Sequence, residues 1–405
     1  MVAWPIKRLD QLCEITSSKR IFAADYVSEG VPFYRGREVT EKYKGNLDVS
    51  TELFITEEKF TEIERKFGAP ILGDLLLTSV GTLGSVYVVK PGDRFYFKDG
   101  NLTWFRNFKG LDSQFLFYWI GSPQGKAELQ KCTIGSSQSA FTIVLLKGME
   151  VELPSLLVQQ RIAGILSVYD ELIENSQRRI KILEAMSRGL YREWFVHFRF
   201  PGHEYHPRVA SALGEIPQGW AVKKVGDLVE IKKGKKPTVV FESAESGLKR
   251  HLLIDALRGG SSLEFVMPDK LISTTVDDTI MVMDGSGSGD VFIGYEGVIG
   301  STLGRYRVVD VSDGGPFWLF LFLDTHLEEI KSKNIGSAIP HANKDFINGM
   351  SVAVAPKSVL LNFEKAVTPM FGLIRSLRSK TGALRRTRDL LLPRLLSGQI
   401  DIGEI

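Results

Sequence analysis

The sequence predicts an α+β protein: two similar globular mixed α/β domains and two long antiparallel coiled-coil helices, related by a pseudo-twofold internal repeat. Three observations predict it. Blocks of the chain recur in order, each copy joins a strand-rich stretch to a long amphipathic run, and 405 residues exceed what one ordinary core holds.

The repeat comes first along the chain. WPIKRLDQLCEI (4–15) aligns with WAVKKVGDLVEI (220–231) at an offset of 216. IGSSQSAFTIVLLKGMEVELP (134–154) aligns with IGSAIPHANKDFINGMSVAVA (335–355) at 201, and the same offset pairs Leu183 with Leu384 and Leu190 with Leu391. The smaller offset means that the second copy is shorter within its globular part. Inside each copy, SVYVV (85–89), FYFKDGNLTWF (95–105) and DVFIGYEGVIG (290–300) read as strands. SQFLFYWIGSPQGKAELQKC (113–132) and PFWLFLFLDTHLEEIKSK (316–333) read as helices closing each domain. DGSGSGD (284–290) reads as a turn between strands, where glycine supplies positive φ.

The long helices follow. Residues 158–199 contain no proline, and Ile162, Leu166, Tyr169, Ile173, Ile180, Leu183, Leu190 and Trp194 recur by threes and fours, with Ser176 and Ser187 as gaps. Phe195 extends the aromatic end, and Pro201-Gly202 stops the helix. The second run carries Phe363, Val367, Met370, Ile374, Leu377, Leu384 and Leu391, broken at Thr381 and Arg388. Pro369 leaves its start uncertain or kinked. About 40 helical residues span roughly 60 Å. Neither helix can bury its stripe alone, so the two are expected to pack antiparallel as a spacer. The competing expectation is that both stripes are ordinary domain core. The aromatic end at Trp194, Phe195 and Phe198 is expected to be a docking surface, again with a core role as the competitor. The predicted boundaries are 1–154, a spacer helix at 155–200, a linker at 201–219, 220–356, a second spacer helix at 357–400, and a tail at 401–405.

Composition narrows the function classes. The net charge is only +3, and the segment 357–400 carries nine basic against two acidic residues. The globular parts are therefore not basic domains, and nucleic-acid binding would need local clusters or a partner's help. No apolar run is long enough to span a membrane, and MVAWPIKRLDQLCEI carries charges where a signal peptide is apolar. Cys13 and Cys132 form neither a disulfide framework nor a metal spacing, so reduced thiols in a cytoplasmic setting are expected. Catalytic motifs are missing: no Asn/Asp-Pro-Pro-Tyr for adenine methylation, no Gly-rich turn suited to S-adenosylmethionine, and no Walker-type loop. HEYH (203–206) is one residue short of HExxH and sits in the linker, so no metal site is expected.

The segment LPSLLVQQRIAGILSVYDELIENSQRRIKILEAMSRGLYREWFVHFRFPG (153–202), then LGEIPQGWAVKKVGDLVEI (213–231) and LLPRLLSGQIDI (391–402), closely resembles specificity subunits of type I restriction–modification systems. These segments cover about a third of the chain, and the two-copy layout covers all of it. The chain departs from the usual pattern in having no GEIP-type lead before Trp4. The resemblance implies a noncatalytic subunit in which each target-recognition domain reads one half of a bipartite, asymmetric DNA site. It also implies that the helices set the spacing and bind methyltransferase (M) subunits, expected as a pair, with restriction (R) subunits in the full complex. Double-stranded DNA is the implied ligand. No cofactor is expected on this chain; S-adenosylmethionine, ATP and Mg belong to partner subunits. Major-groove readers on one face of B-DNA lie about 34 Å, one turn, apart.

Candidate DNA contacts follow from residue type and place in the repeat. KKGKKPT (232–238) offers Lys232, Lys233, Lys235 and Lys236 to phosphates, with Gly234 allowing close backbone approach, and SSKR (17–20) offers Lys19 and Arg20 at the matching place. FYRGRE (33–38) offers Tyr34, Arg35 and Arg37, and LKRHLLIDALRGG (248–260) offers Arg250, His251 and Arg258. Polar loops add Thr78, Ser79, Ser136, Ser137, Gln138, His341, Asn343 and Lys344. The basic stripe Arg375, Arg378, Lys380, Arg385, Arg386 and Arg388 is expected to face DNA, an acidic partner surface or only solvent. Two rivals predict otherwise: a single-chain methyltransferase or nuclease would bind S-adenosylmethionine itself, and a coiled-coil protein scaffold would show no DNA preference.

Overall fold

The computed structural model describes residues 4–46, 49–135, 139–260, 263–336, 338–400 and 402–403. The chain divides into two compact units, one of Met1–Glu174 with Ala383–Ile405 and one of Asn175–Gly382.

In the first unit, strand Ile6–Arg8 pairs antiparallel with Glu150–Glu152 and ties the start of the domain to its end. Between them lies a sheet in the order Glu14–Thr16, Leu102–Arg106, Leu75–Thr78, Val86–Val88. The central run Leu75-Leu76-Leu77 is apolar throughout because both faces are covered. Leu75 and Leu77 face one cluster with Phe115 and Leu116, whereas Leu76 faces a second cluster with Tyr34, Tyr87 and Trp104. A second sheet orders Tyr26–Val27, Phe54–Ile55, Val31–Tyr34 and Tyr96–Phe97, the last two strands being parallel. Helix Ser113–Gly121 starts where the Asp112 side chain accepts the Phe115 N–H at 2.8 Å. It stops at Ser122, whose side chain caps the next helix, Pro123–Lys131.

The second unit repeats this plan. Ala221–Lys224 pairs with Ser351–Val354, and a sheet orders Val229–Lys233, Leu303–Val308, Thr279–Val282 and Val291–Phe292. A second sheet orders Glu264–Val266, Lys249–Leu252, Gly297–Ile299 and Ser273–Thr274, with Lys249–Leu252 parallel to Gly297–Ile299. Helices Pro316–Thr325 and Leu327–Ser332 stand where the paired helices of the first unit stand.

The long helices are Leu156–Tyr191 and Lys357–Leu396, and each unit takes part of both. In the first unit Val158, Ile162 and Leu166 share one cluster with Phe115, Trp119, Leu395 and Leu396. Gln159 is fully buried at the helix start; it accepts the Asp112 N–H at 2.8 Å and donates to the Gly110 and Pro154 carbonyls. Asp170 accepts from Tyr118 Oη at 2.6 Å and from Arg388. In the second unit Phe363, Val367 and Ile374 join a cluster with Tyr191, Trp194 and Phe195, with Ile180, Leu183 and Leu190 packed against it. Within both units the parts run antiparallel: Arg161 bonds Ile402 and Asp170 bonds Arg388 in one, while Glu184 bonds Arg378 and Tyr191 meets Phe363 in the other. The gaps Ser176, Ser187 and Thr381 are buried in the seam, and the break at Arg388 is an ion pair.

Four expectations are corrected here. The first helix does not run to residue 200: the α-helix ends at Tyr191, and one π turn, Arg192–Val196, follows, with His197 N–H bonded to Arg192 O at 2.8 Å. The extra residue rotates the chain by about 100° and turns both Trp194 and Phe195 inward. These rings are core, not a docking surface: they are 8% and 7% exposed, and Phe195 stands 4.8 Å edge-on to Phe363 and 5.8 Å from Trp220. The linker 201–219 contains a hairpin, Arg208–Ser211 with Gly214–Pro217, because Ile216 is buried in the same core. Pro369 does not disturb the start of the second helix, which is continuous over Lys357–Leu396; Pro369 and Lys365, whose carbonyl loses its partner, are both exposed.

Candidate nucleic-acid interface

The site in the second unit forms where three stretches far apart in sequence meet at one end of the sheet. Lys233 closes the strand Val229–Lys233, Asp284 opens the DGSGSGD turn, and His341 lies two residues before Asn343, the N-cap of helix Lys344–Gly349. Lys233 Nζ lies 2.8 Å from Asp284, and His341 Nδ1 lies 2.8 Å from the other oxygen of that carboxylate. Together with Lys344 they rim a cavity of about 260 Å³ floored by Ile231, Met283, Gly304 and Ala342. Gly304 keeps that floor open, since a Cβ there would lie 2.9 Å from Met283 Sδ.

The turn is held at both ends. Asp290 takes ion pairs from Arg258 at 2.5 Å and Lys331 at 2.9 Å. Gly285 N–H donates to Pro340 O at 2.9 Å, and Ser288 Oγ donates to the same carbonyl at 2.8 Å. Burial alone would raise the Asp284 carboxyl; hydrogen bonds from Lys233 and His341 outweigh it and hold the group below its usual range. Asp290 behaves likewise, with Lys331 and Arg258 outweighing burial. The arrangement presents ammonium and imidazole groups at fixed positions on an exposed edge, which suits phosphate and base-edge contacts.

Of the cations predicted as contacts in the first unit, Lys19, Arg20 and Arg37 are exposed and Arg35 is half-exposed. Lys19 lies over the Phe67 ring and Arg20 over Phe22. Arg35 and Arg37 are clamped by Glu38, a fully buried carboxylate 3.4 and 3.0 Å from them, and Arg37 also donates to Ser50 O. Gly36, between the two arginines, approaches the turn that follows Thr78.

Several predicted contacts are structural instead. Tyr34 is buried, stacked on Phe95 at 4.3 Å, and burial pushes its phenol up to about 12. Thr78 and Ser79 are buried turn builders: Thr78 Oγ1 accepts the Ser85 N–H, and Ser79 Oγ bonds Thr103 Oγ1 at 2.7 Å. His251 is 5% exposed and bonds Glu264 at 2.9 Å; its ladder position matches fully buried Phe33 of the first unit. Arg250 is half-buried in the same strand, and its Nε is enclosed. Gly234 is buried against the chain itself: a Cβ there would lie 2.2 Å from Gly300 O, so its smallness serves the meeting of two backbone segments. Asn343 spends its side-chain oxygen on the helix cap at 3.0 Å. Lys232 pairs with Glu230 at 2.7 Å, whereas Lys235 and Lys236 are exposed. In the basic stripe, Arg378 pairs with Glu184 and Arg388 with Asp170, so neither is simply a solvated charge. Ser136, Ser137 and Gln138 lie outside the described residues.

The residues missed are the acids that orient the cations: Asp284, Asp290 and Glu38. Their signal was present, since Glu38 ends RGRE and the two aspartates bracket a glycine-rich turn, but a search for positive charge passes over them.

Comparison with known proteins adds three findings. A family model described as type I restriction modification DNA specificity domain matches residues 1–185 and 217–358. The chain is 25% identical to the type I restriction enzyme MjaIX specificity subunit of Methanocaldococcus jannaschii, over 99% of this chain and 94% of that one. It is 26% identical to the MjaVIII specificity subunit of the same organism over 47% of each. Its fold matches the crystal structure of the type I restriction–modification S subunit from M. genitalium with a TM-score of 0.62 at 16% identity, covering 97% of this chain and 96% of that one.

Proposed function

This chain belongs to the type I restriction modification DNA specificity family, and on that premise we propose that it is the DNA sequence-specificity subunit of such a system. Each unit reads one half of a bipartite, asymmetric target. The chain itself makes and breaks no bonds; adenine methylation with S-adenosylmethionine, and cleavage with ATP and Mg, belong to methyltransferase and restriction subunits that it recruits. Two methyltransferase subunits fit the two-copy plan of the chain. The place of action is the cytoplasm of a prokaryotic cell, on its DNA. Among the described residues, no helix is long and apolar enough to cross a membrane.

The observation that carries this reading is that one fold occurs twice in one chain, the same strand order in both main sheets, with different side chains on the exposed edges. A duplicated reader with altered edges is what an asymmetric two-part target needs. The test is to express the chain with its methyltransferase partner and map adenine methylation across the host genome. Methylation confined to a two-part motif, and lost without the chain, is expected. Methylation that does not depend on the chain would refute the proposal, and copurification with the methyltransferase without any motif would favour a protein scaffold.

A further inference from the structure

The two units can be superposed residue by residue through their ladders, and that comparison isolates one spot. In the first unit Ile15 lies opposite Phe105, and Leu75 opposite the same residue; in the second, Ile231 and Thr279 lie opposite Tyr306. Counting outward, Ser17 matches Lys233 and Val80 matches Asp284. An isolated bridge then joins Val80 to Ala140 in the first unit and Asp284 to His341 in the second, so Ala140 matches His341. The short helix that follows is capped in both units, by Thr142 and by Asn343, which matches Ile143 to Lys344.

Beneath this spot the two units are alike: Ile15 against Ile231, Leu77 against Met281, Phe105 against Tyr306, all apolar or aromatic. At the rim they are chemically opposite. The first unit has a hydroxyl, an isopropyl, a methyl and a sec-butyl group, while the second has an ammonium, a carboxylate, an imidazole and an ammonium. Packing does not require this difference, since Lys233 and His341 keep about half of their side-chain surface exposed.

We propose that this rim is where the two units come to read different half-sites, and that His341 is a specificity-determining residue of the second. The inference rests on the DNA-reading function given above. Asp284 accepts from Nδ1–H, which fixes the ring; in the ring singly protonated at Nδ1, Nε2 is the acceptor. That atom suits an exocyclic amino group at a base edge in the major groove, the N6 of adenine or the N4 of cytosine. Lys233 and Lys344 flank it and suit the phosphates on either side. The first unit lacks this acceptor and presents apolar groups in its place, which suit a thymine methyl.

The test is the methylation motif directed by the full chain carrying His341→Ala, mapped in cells that hold the methyltransferase partner. The expected result is relaxed preference at one base position in one half of the motif, on the order of 10- to 100-fold, with the other half unchanged. His341→Asn keeps a donor toward Asp284 while removing Nε2, and the same relaxation is expected if the alanine variant folds poorly. Lys233→Met is expected to weaken binding across all sequences and lower the salt slope by about one, leaving the motif intact. An unaltered motif in a folded His341 variant, or equal damage to both halves, overturns this assignment alone. A wild-type chain that directs no two-part motif overturns the functional reading and this assignment with it.

Discussion

Trp194 offers the sharpest stability test, because its role moved from exposed anchor to core. The ring is 8% exposed, packs 5.6 Å from Phe363 and 6.5 Å from Phe195, and belongs to the principal cluster of the second unit. Trp194→Ala removes nearly all of that buried surface and leaves a void bordered by other rings, which resist collapse. Losses of about 3–5 kcal/mol are usual for such a change. For a unit of this size each kcal/mol lowers Tm by about 2–4 °C, so a drop near 10 °C is expected. Trp194→Phe keeps the contact with Phe363 and should lose less than half as much. The assay is thermal unfolding of the full chain followed by near-UV circular dichroism, alongside pulldown of the methyltransferase partner at a temperature where the variant is folded. A drop below about 2 °C with failed pulldown would refute the core assignment and restore the aromatic end as a docking surface.

Two further predictions follow from the same unit. Burial raises the Glu364 carboxyl to about 7 from its usual 4.5, although it accepts the backbone N–H groups of Trp318 and Phe317. A raised folded-state value means that the folded chain holds a proton that the unfolded chain releases between pH 4.5 and 7, so stability falls across that window and the penalty is complete above it. Glu364→Gln should therefore stabilise the unit by on the order of 3 kcal/mol above pH 7 and by nothing below about pH 4.5; chemical denaturation across pH checks this, and a pH-independent difference would contradict it. Gly234→Ala forces a Cβ to 2.2 Å from Gly300 O, so a loss of about 1–3 kcal/mol is expected in denaturant titrations without DNA present. Unchanged stability with weakened DNA binding would instead return Gly234 to the DNA-facing role.

Much of the architecture was legible because its signals are periodic. The seam from Ile162 to Leu190 repeats by threes and fours whatever it packs against, and even its polar gaps, Ser176 and Ser187, lie on the buried stripe. What the stripe packs against was not legible: the same residues face the opposite helix and their own domain together, and periodicity cannot separate the two. The π turn at Arg192–Val196 escaped notice because such a turn leaves no compositional mark. In the site, residue type located the basic stretches but not their orientation. His251 and Arg250 looked alike in sequence to His341 and Lys233, yet one strand register buries the first histidine where Phe33 stands in the other copy. Side-chain pairing with acids remote in sequence, such as Lys233 with Asp284, depends on which loops the sheet brings together.

The most direct measurement of the central claim is a domain exchange. Residues 220–356 of this chain would be replaced by the matching segment of a related specificity subunit, and the methylation motif of the hybrid mapped beside both parents. The account predicts a motif with one half from each parent. A motif inherited whole from either parent, or changed in both halves at once, would show that the two units do not read independently.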